Sequence, residues 1–206
     1  MSSAKVFFTC PPCITVVFMT ETPASLVILD LCAGSGSWSK PYRESGYDVH
    51  QVTLPGLDVR TWQAYLPLHV HGILVAPPCT HLASSGARWF RTKGESALIE
   101  ALSVVDACLR IIHVCNPVWW ALENPVGRLV RYLGKPVMYF DPCDYGDPYT
   151  KRTALWGRFN QPLKLPVRPV PMSENPIWNQ PPSNERGAIR SVTPPGFARA
   201  FFEANR

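Results

Sequence analysis

The stretch Ile73-Leu74-Val75-Ala76-Pro77-Pro78-Cys79 decides how the fold of this chain is interpreted. Its first four residues form a short apolar run, which is typical of a buried strand. The two prolines that follow place Cys79 in a rigid turn just beyond that strand. Open α/β sheets bind their ligands beyond the carboxyl ends of the strands. A cysteine at this place is therefore predicted to be a nucleophile rather than a packing residue.

The composition is that of a folded protein with a sizeable core. Of the 206 residues, 46% are hydrophobic and 17% are charged, which indicates one globular domain. The formal net charge of +5 suits a polyanionic partner, and it equally suits ordinary surface charge. The seven cysteines are scattered and odd in number. We therefore expect a reducing, cytoplasmic location with most thiols buried.

Residues 1–22 are interpreted as an N-terminal extension. The part from Met1 to Met19 is apolar but contains prolines, so neither a signal peptide nor a membrane span is expected. Cys10 and Cys13 have the spacing of metal ligands, but no second pair of cysteines or histidines accompanies them. We therefore expect no metal site.

Strands and helices are predicted to alternate along residues 23–160. β-rich runs cover residues 25–30, 47–54, 72–76 and 118–122, and further strands are expected at 137–140 and 153–156. The strongest helical periodicity covers residues 94–114, with short helices at 39–45 and 127–133. This alternation predicts an α/β fold, a mostly parallel sheet with helices on both faces.

The last part of the chain has a different character. Prolines crowd residues 162–182, so residues 161–190 are predicted to form a proline-rich loop. Thr193 stands where a residue would cap a following helix that begins with proline. Residues 191–206 are therefore expected to form a C-terminal helix that packs on the domain of residues 23–160.

Two more elements fall on the predicted carboxyl edge of the sheet with Cys79. Asp30 is followed by a turn containing Gly34 and Gly36, where the backbone can approach a ligand closely. Glu123 follows an apolar run with two tryptophans, so its pKa is expected to be raised. Such a carboxyl can exchange a proton with a ring nitrogen. A plain strand-to-helix turn and a helix cap are the structural alternatives for these two elements.

Two basic segments have a functional and a structural interpretation. Arg152 in Lys151-Arg152-Thr153 can contact a carbonyl oxygen or a phosphate, or it can be a solvated charge. Arg88-Trp89-Phe90-Arg91 interleaves basic and aromatic side chains. That pattern suits contact with nucleic acid, and it also suits a partly packed loop.

Four motifs follow one another along the chain: Asp30-Leu-Cys-Ala-Gly-Ser-Gly36, Pro77-Pro78-Cys79, Glu123-Asn124-Pro125 and Lys151-Arg152-Thr153. In this order they resemble the motifs of the cytosine-C5 DNA methyltransferases. The resemblance covers about residues 26–160, and the ending from Arg190 is similar to small phage-borne members. It implies the Rossmann-like fold of class I methyltransferases that use S-adenosyl-L-methionine (AdoMet). It also implies DNA as the partner, in a bacterial or phage-infected cell.

By position, the resemblance implies a role for each motif residue. Cys79 would attack C6 of cytosine, and Glu123 would bind N3 and the exocyclic amine. Arg152 or a neighbour would contact O2 of the base, which must be flipped out or single-stranded. The implied cofactor contacts are Asp30, Cys32, Ala33, Gly34, Gly36, Trp38, Thr53, Asp58 and Pro77. The implied substrate contacts are Pro78, Arg88, Asn124 and Lys151.

The chain departs from the family pattern in two places that bear on function. The second strand ends near Thr53, where an acid usually binds the ribose. The interval before the final helix is too short to read several bases, so we expect little sequence specificity. Two alternatives stay open. One is the same chemistry on a pyrimidine nucleotide or RNA, or with a modified AdoMet. The other is a non-catalytic AdoMet-fold partner that binds DNA.

Overall fold

A computed structural model describes residues 25–62, 66–183 and 185–206. Its strands are β1 (Val27–Leu31), β2 (Asp48–Val52), β3 (Gly72–Val75), β4 (Trp119–Pro125), β5 (Met138–Phe140) and β6 (Thr153–Arg158). Its helices are α1 (Lys40–Glu44), α2 (Phe90–Cys115), α3 (Val130–Leu133), α4 (Arg186–Ser191) and α5 (Pro195–Ala204). The N-terminal extension, with Cys10 and Cys13, lies outside the described residues.

The six strands form one sheet in the order β2-β1-β3-β4-β6-β5. The first four are parallel to one another, and β6 is antiparallel to both of its neighbours. The predicted α/β class with a mostly parallel sheet is confirmed. The order agrees with the Rossmann-like fold that the resemblance implies.

Helices cover both faces of the sheet, as predicted. Alternate strand residues face opposite sides: Leu29 and Val75 pack against α2, whereas Ile28 and Leu74 pack with residues of α1 and α5. Both clusters are almost fully buried. The sheet is therefore a rigid platform whose carboxyl edge is left for loops.

The strand order reverses next to β1. From β1 the chain passes to β2 on one side and later to β3 on the other. In open α/β sheets, the crevice outside the carboxyl ends at such a point is where ligands bind. The loops that follow β1 and β3 carry Gly34 and Cys79, so both lie at this crevice.

Three local predictions were wrong. Glu123-Asn124-Pro125 lies within β4 rather than after it, because β6 pairs with β4 as far as Pro125 and Thr153. Thr193 does not cap the last helix: Pro194 occupies that position, and the Thr193 N–H donates to Ser37 Oγ. Residues 186–191 form α4 instead of loop.

The long helix differs slightly from its prediction. It begins at Phe90 rather than at residue 94, and Gly94 interrupts it with a left-handed φ of 73°. Among the described residues, no helix is long and apolar enough to cross a membrane. In the same part of the chain, no three His, Cys, Asp or Glu side chains are grouped as a metal site would require.

Candidate active site

The loop after β1 is fixed by the end of β2. The Cys32 N–H donates to the Val52 carbonyl at 2.8 Å, and the Gly34 N–H donates to Thr53 Oγ1 at 3.2 Å. Gly34 has a φ of 54°, and a Cβ built on it would meet nothing within 4 Å. The glycine therefore serves the left-handed turn and leaves the loop backbone accessible.

Three residues that were expected to contact the cofactor lie behind this loop. Asp30 is buried and accepts a hydrogen bond from Ser39 Oγ. Burial raises the pKa of Asp30 to about 6, although that hydrogen bond opposes the rise. A Cβ on Gly36 would overlap the side chain of Gln51. Trp38 packs against Phe201 on the α5 face of the sheet, with ring centroids 5.4 Å apart.

A cavity of about 590 Å³ opens at the crevice beyond β1, β2 and β3. Its volume is in the range of pockets that hold small molecules. The cavity is lined both by residues predicted to bind the cofactor and by residues predicted to act on the substrate. Those in the lining are Cys32, Gly34, Thr53, Asp58, Pro78, Cys79, Lys151 and Arg152. The predicted site residues that do not line it are Asp30, Ala33, Gly36, Trp38, Pro77, Arg88, Glu123 and Asn124.

Asp58 is already engaged by a neighbouring cation. Its carboxylate forms an ion pair with Arg60 at 2.6 Å, and Arg60 also contacts Glu100. The hydrogen bonds from Arg60 hold the pKa of Asp58 below its usual value. Asp58 is therefore a fixed carboxylate in the cavity wall, and its contact with an adenine stays a prediction.

The turn that carries Cys79 is held by β4. Asn124 Nδ2 donates to the carbonyl oxygen of Pro77 at 2.9 Å in a buried hydrogen bond. The Cys79 carbonyl accepts from the N–H groups of Leu82 and Ala83, both at 2.9 Å. Asn124 thus positions the turn that carries Cys79 without itself lining the cavity.

A second contact joins the segment after Cys79 to the segment after β4. The Ser84 N–H donates to the Val126 carbonyl at 2.9 Å, and the Arg128 N–H donates to the Leu82 carbonyl at 2.8 Å. The two segments approach so closely that a Cβ on Gly127 would lie 2.0 Å from the Leu82 carbonyl oxygen. Only glycine permits this approach, and the loop that carries Cys79 is thereby fixed to the strand that carries Glu123.

Cys79 lies within electrostatic range of one acid and two cations. Burial raises the pKa of Cys79, and the charge of Glu123 raises it further, while Lys151 and Arg190 act in the opposite direction. Burial likewise raises the pKa of Glu123, opposed by Lys151. The raised pKa expected for Glu123 is confirmed, and a thiol, a carboxyl and an ammonium group share one site.

Lys151, rather than Arg152, is the cation held in this group. Lys151 is only 9% exposed, whereas the Arg152 side chain is 57% exposed. Arg152 forms an ion pair with Asp141 at 3.1 Å and lies over the ring of Tyr139. Arg152 still lines the cavity, but its guanidinium is engaged at the surface.

Arg190 was missed as a site residue. It lies on α4, lines the cavity, and stacks over Trp178 at 5.3 Å. The proline-rich composition around it predicts a loop, and no local pattern shows that α4 returns to Cys79. Arg88, by contrast, lies in a neighbouring groove rather than in the cavity.

Comparison with known proteins identifies no family. No protein-family model matches the chain, and no curated protein matches it. Among solved structures, a prophage-encoded E. coli protein provisionally assigned as a DNA modification methyltransferase is similar, with a TM-score of 0.40 and 16% sequence identity. The match covers 65% of this chain and 46% of that chain, so the chain matches less than half of that protein's length. Similarity at this level carries no argument about activity.

Proposed function

We propose that this protein transfers a methyl group from AdoMet to C5 of cytosine in DNA, through a covalent bond between Cys79 and C6 and with little sequence specificity. The observation that carries the proposal is the convergence of Cys79, Glu123 and Lys151 beside the cavity that Gly34 and Thr53 line. The order of the motifs along the chain supports the same chemistry.

Cys79 acts as the nucleophile. Its thiolate adds to C6, and the electron pair of the C5=C6 bond moves to C5, which becomes nucleophilic. Burial and Glu123 favour the thiol at neutral pH, while Lys151 and Arg190 favour the thiolate. The Pro77-Pro78 turn and the bond from Asn124 keep the sulfur from swinging away from the base.

Glu123 and Lys151 act on the pyrimidine ring. A carboxyl whose pKa is raised by burial can hold a proton near N3 and stabilise the ring as negative charge develops on it. We assign to Lys151 the contact with O2 that Arg152 was expected to make, because Lys151 is buried in the site and Arg152 is bound to Asp141.

The other side of the cavity suits the cofactor. The accessible backbone at Gly34 fits a close-lying amino-acid or nucleoside moiety, and the Thr53 hydroxyl stands where an acid would bind a ribose. When bound, AdoMet would supply the methyl group that C5 takes up, with its sulfonium leaving as the neutral thioether S-adenosylhomocysteine. Loss of the C5 proton to a base and departure of the Cys79 thiolate then restore the C5=C6 double bond and the aromatic ring.

Two features of the sequence favour a second candidate. Thr53 offers a hydroxyl in place of a carboxylate, and the segment 161–190 is short, so the same chemistry on a nucleotide or RNA, or with a modified AdoMet, is the alternative. A non-catalytic AdoMet-fold protein that binds DNA is the third possibility.

The test is the identity of the product. DNA, RNA and dCMP are incubated separately with the protein and methyl-deuterated AdoMet, and the nucleosides are examined by mass spectrometry. We expect labelled 5-methyldeoxycytidine from DNA, lost in Cys79→Ser with AdoMet binding intact and retained in the matched control Cys143→Ser. Product from dCMP or RNA alone would favour the second candidate. AdoMet binding without any labelled product would overturn the proposal.

A further inference from the structure

A groove of about 770 Å³ lies next to the active-site cavity and shares part of its wall. Ser84, Ser85, Trp178, Gly187 and Arg190 line both. Part of its lining is the 3₁₀ helix Ser84–Trp89, which follows the Cys79 loop, and the rest is α4 with Trp178 and Ser183. A ligand in the groove would therefore be continuous with a ligand at Cys79.

The groove is rich in arginine and in exposed tryptophan. Trp89 is 51% exposed with Arg88 5.2 Å from its ring, and Trp178 is 40% exposed with Arg190 at 5.3 Å. Exposed flat rings with a guanidinium beside them suit the stacking of bases and the binding of phosphates. The two tryptophans come from the two separate segments that line the groove, so the groove offers two stacking positions.

The arginines that line the groove have no ion-pair partner in the part of the chain that the structure describes. Among the described residues, Arg88, Arg186 and Arg190 form no ion pair, whereas Arg60, Arg110 and Arg152 do. Within the same described part of the chain, no acidic residue lines the groove. Nε of Arg186 is also buried and has no hydrogen-bond partner among the described residues. Three guanidinium groups in one groove, with no acidic partner among the described residues, favour an anionic ligand.

We propose that this groove binds single-stranded DNA, with the nucleotides that flank the target cytosine stacked on Trp89 and Trp178 and their phosphates held by Arg88, Arg186 and Arg190. Stacking on a ring requires an open base face, and the bases of a duplex have both faces covered. The short segment 161–190 thus contributes a strand-binding wall in place of a base-reading region. The assignment of the target base to Cys79 rests on the proposed function, whereas strand binding in the groove does not.

Binding of a labelled strand to the Cys79→Ser protein tests the inference without any chemistry. Fluorescence anisotropy is measured with a fluorescein-labelled 12-mer DNA that contains one cytosine, with its duplex, and with RNA of the same sequence. We expect the DNA single strand to bind at least about 10-fold more tightly than the duplex. Trp89→Ala and Trp178→Ala should each weaken binding about 5- to 150-fold, and the corresponding Phe variants should retain most of the affinity.

The contribution of the arginine charges is tested by measuring how the affinity for the single strand depends on salt concentration. Arg186→Gln should reduce the slope of log affinity against log salt by about 0.7, the value for one phosphate contact with a single strand. Arg199→Gln, an exposed arginine on α5 that does not line the groove, is the matched control and should leave binding and slope unchanged.

Several results would overturn the inference. These are tighter binding of duplex or RNA, competition by dCMP as effective as that by the 12-mer, or unchanged affinity in both tryptophan→Ala variants. Failure of the proposed function has a different signature: a protein that binds the strand as expected and, as wild type with AdoMet, produces no methylated cytosine.

Discussion

Gly127→Ala tests whether the contact between the Cys79 loop and the segment after β4 sets the geometry of the site. The added Cβ would lie 2.0 Å from the Leu82 carbonyl oxygen, and ordinary contact begins at 3.4 Å, so the segments must separate by about 1.4 Å. That movement breaks the 2.8 Å bond from Arg128 to Leu82 and strains the 2.9 Å bond from Ser84 to Val126. Two weakened hydrogen bonds cost about 1–3 kcal/mol of unfolding free energy.

The loss of catalysis should be measurable beside the loss of stability. A misplacement of about 1 Å at reacting groups can cost about 100-fold in rate. We expect kcat/KM for methyl transfer to fall by about that factor, with Tm lowered by about 2–12 °C. Gly56→Ala is the matched control, because its Cβ would meet only the Thr53 carbonyl at an ordinary 3.7 Å. Wild-type kcat/KM and Tm in Gly127→Ala would refute the reasoning.

Three further perturbations probe other parts of the site. In Asn124→Ala the Pro77 carbonyl loses its buried hydrogen-bond donor, so the unfolding free energy measured in thermal melts should fall by about 1–3 kcal/mol. The same change should lower kcat more than it raises KM, and an unchanged kcat would contradict the positioning role of Asn124. Glu123→Gln should lower the pKa of Cys79 and move the pH profile of its alkylation by iodoacetamide to lower pH, since a negative charge is removed; an unchanged profile would show that the two groups are not coupled. The buried Asp30 carboxyl, with its pKa raised from 3.8 to about 6, holds its proton more tightly in the folded state, so stability falls as pH rises from about 4 to about 6. Asp30→Asn should abolish that fall of about 3 kcal/mol in urea titrations, and an undiminished fall would assign it to other groups.

The position of the candidate site was predictable because it depends on local patterns. Apolar runs ending at Pro77 and near Glu123 mark two strands, and β3 and β4 are parallel neighbours in the sheet. Parallel strands end at the same edge, so their terminal side chains must come together. The glycine turn after Asp30 was predictable for the same reason, since β1 also neighbours β3.

The remaining differences arise from contacts between distant parts of the chain. β4 continues through Pro125 because β6 pairs with it, and the partner of Pro125 is Thr153, 28 residues later in the chain. Trp38 was assigned to the cofactor by its closeness to the glycine turn, but the aromatic cluster with Phe201 draws it to the other face. Neither contact leaves a signal in the local sequence.

The sequence also could not show which of the two adjacent basic residues, Lys151 or Arg152, is held in the site. Lys151 and Arg152 are chemically similar and consecutive, and only the packing of the segment before β6 buries the first and exposes the second. Arg190 reaches the site through α4, a six-residue helix within a proline-rich context. Short helices of this kind depend on tertiary packing rather than on propensity.

The central claim, a covalent bond between Cys79 and C6 of cytosine, is tested most directly by trapping. DNA in which 5-fluorodeoxycytidine replaces cytosine is incubated with the protein and AdoMet, and the peptides are mapped by mass spectrometry. Fluorine at C5 cannot leave as a proton does, so the adduct persists after methyl transfer. The account predicts a stable protein–DNA adduct on the peptide that contains Cys79. Efficient methylation without an adduct, or an adduct on another cysteine, would contradict it.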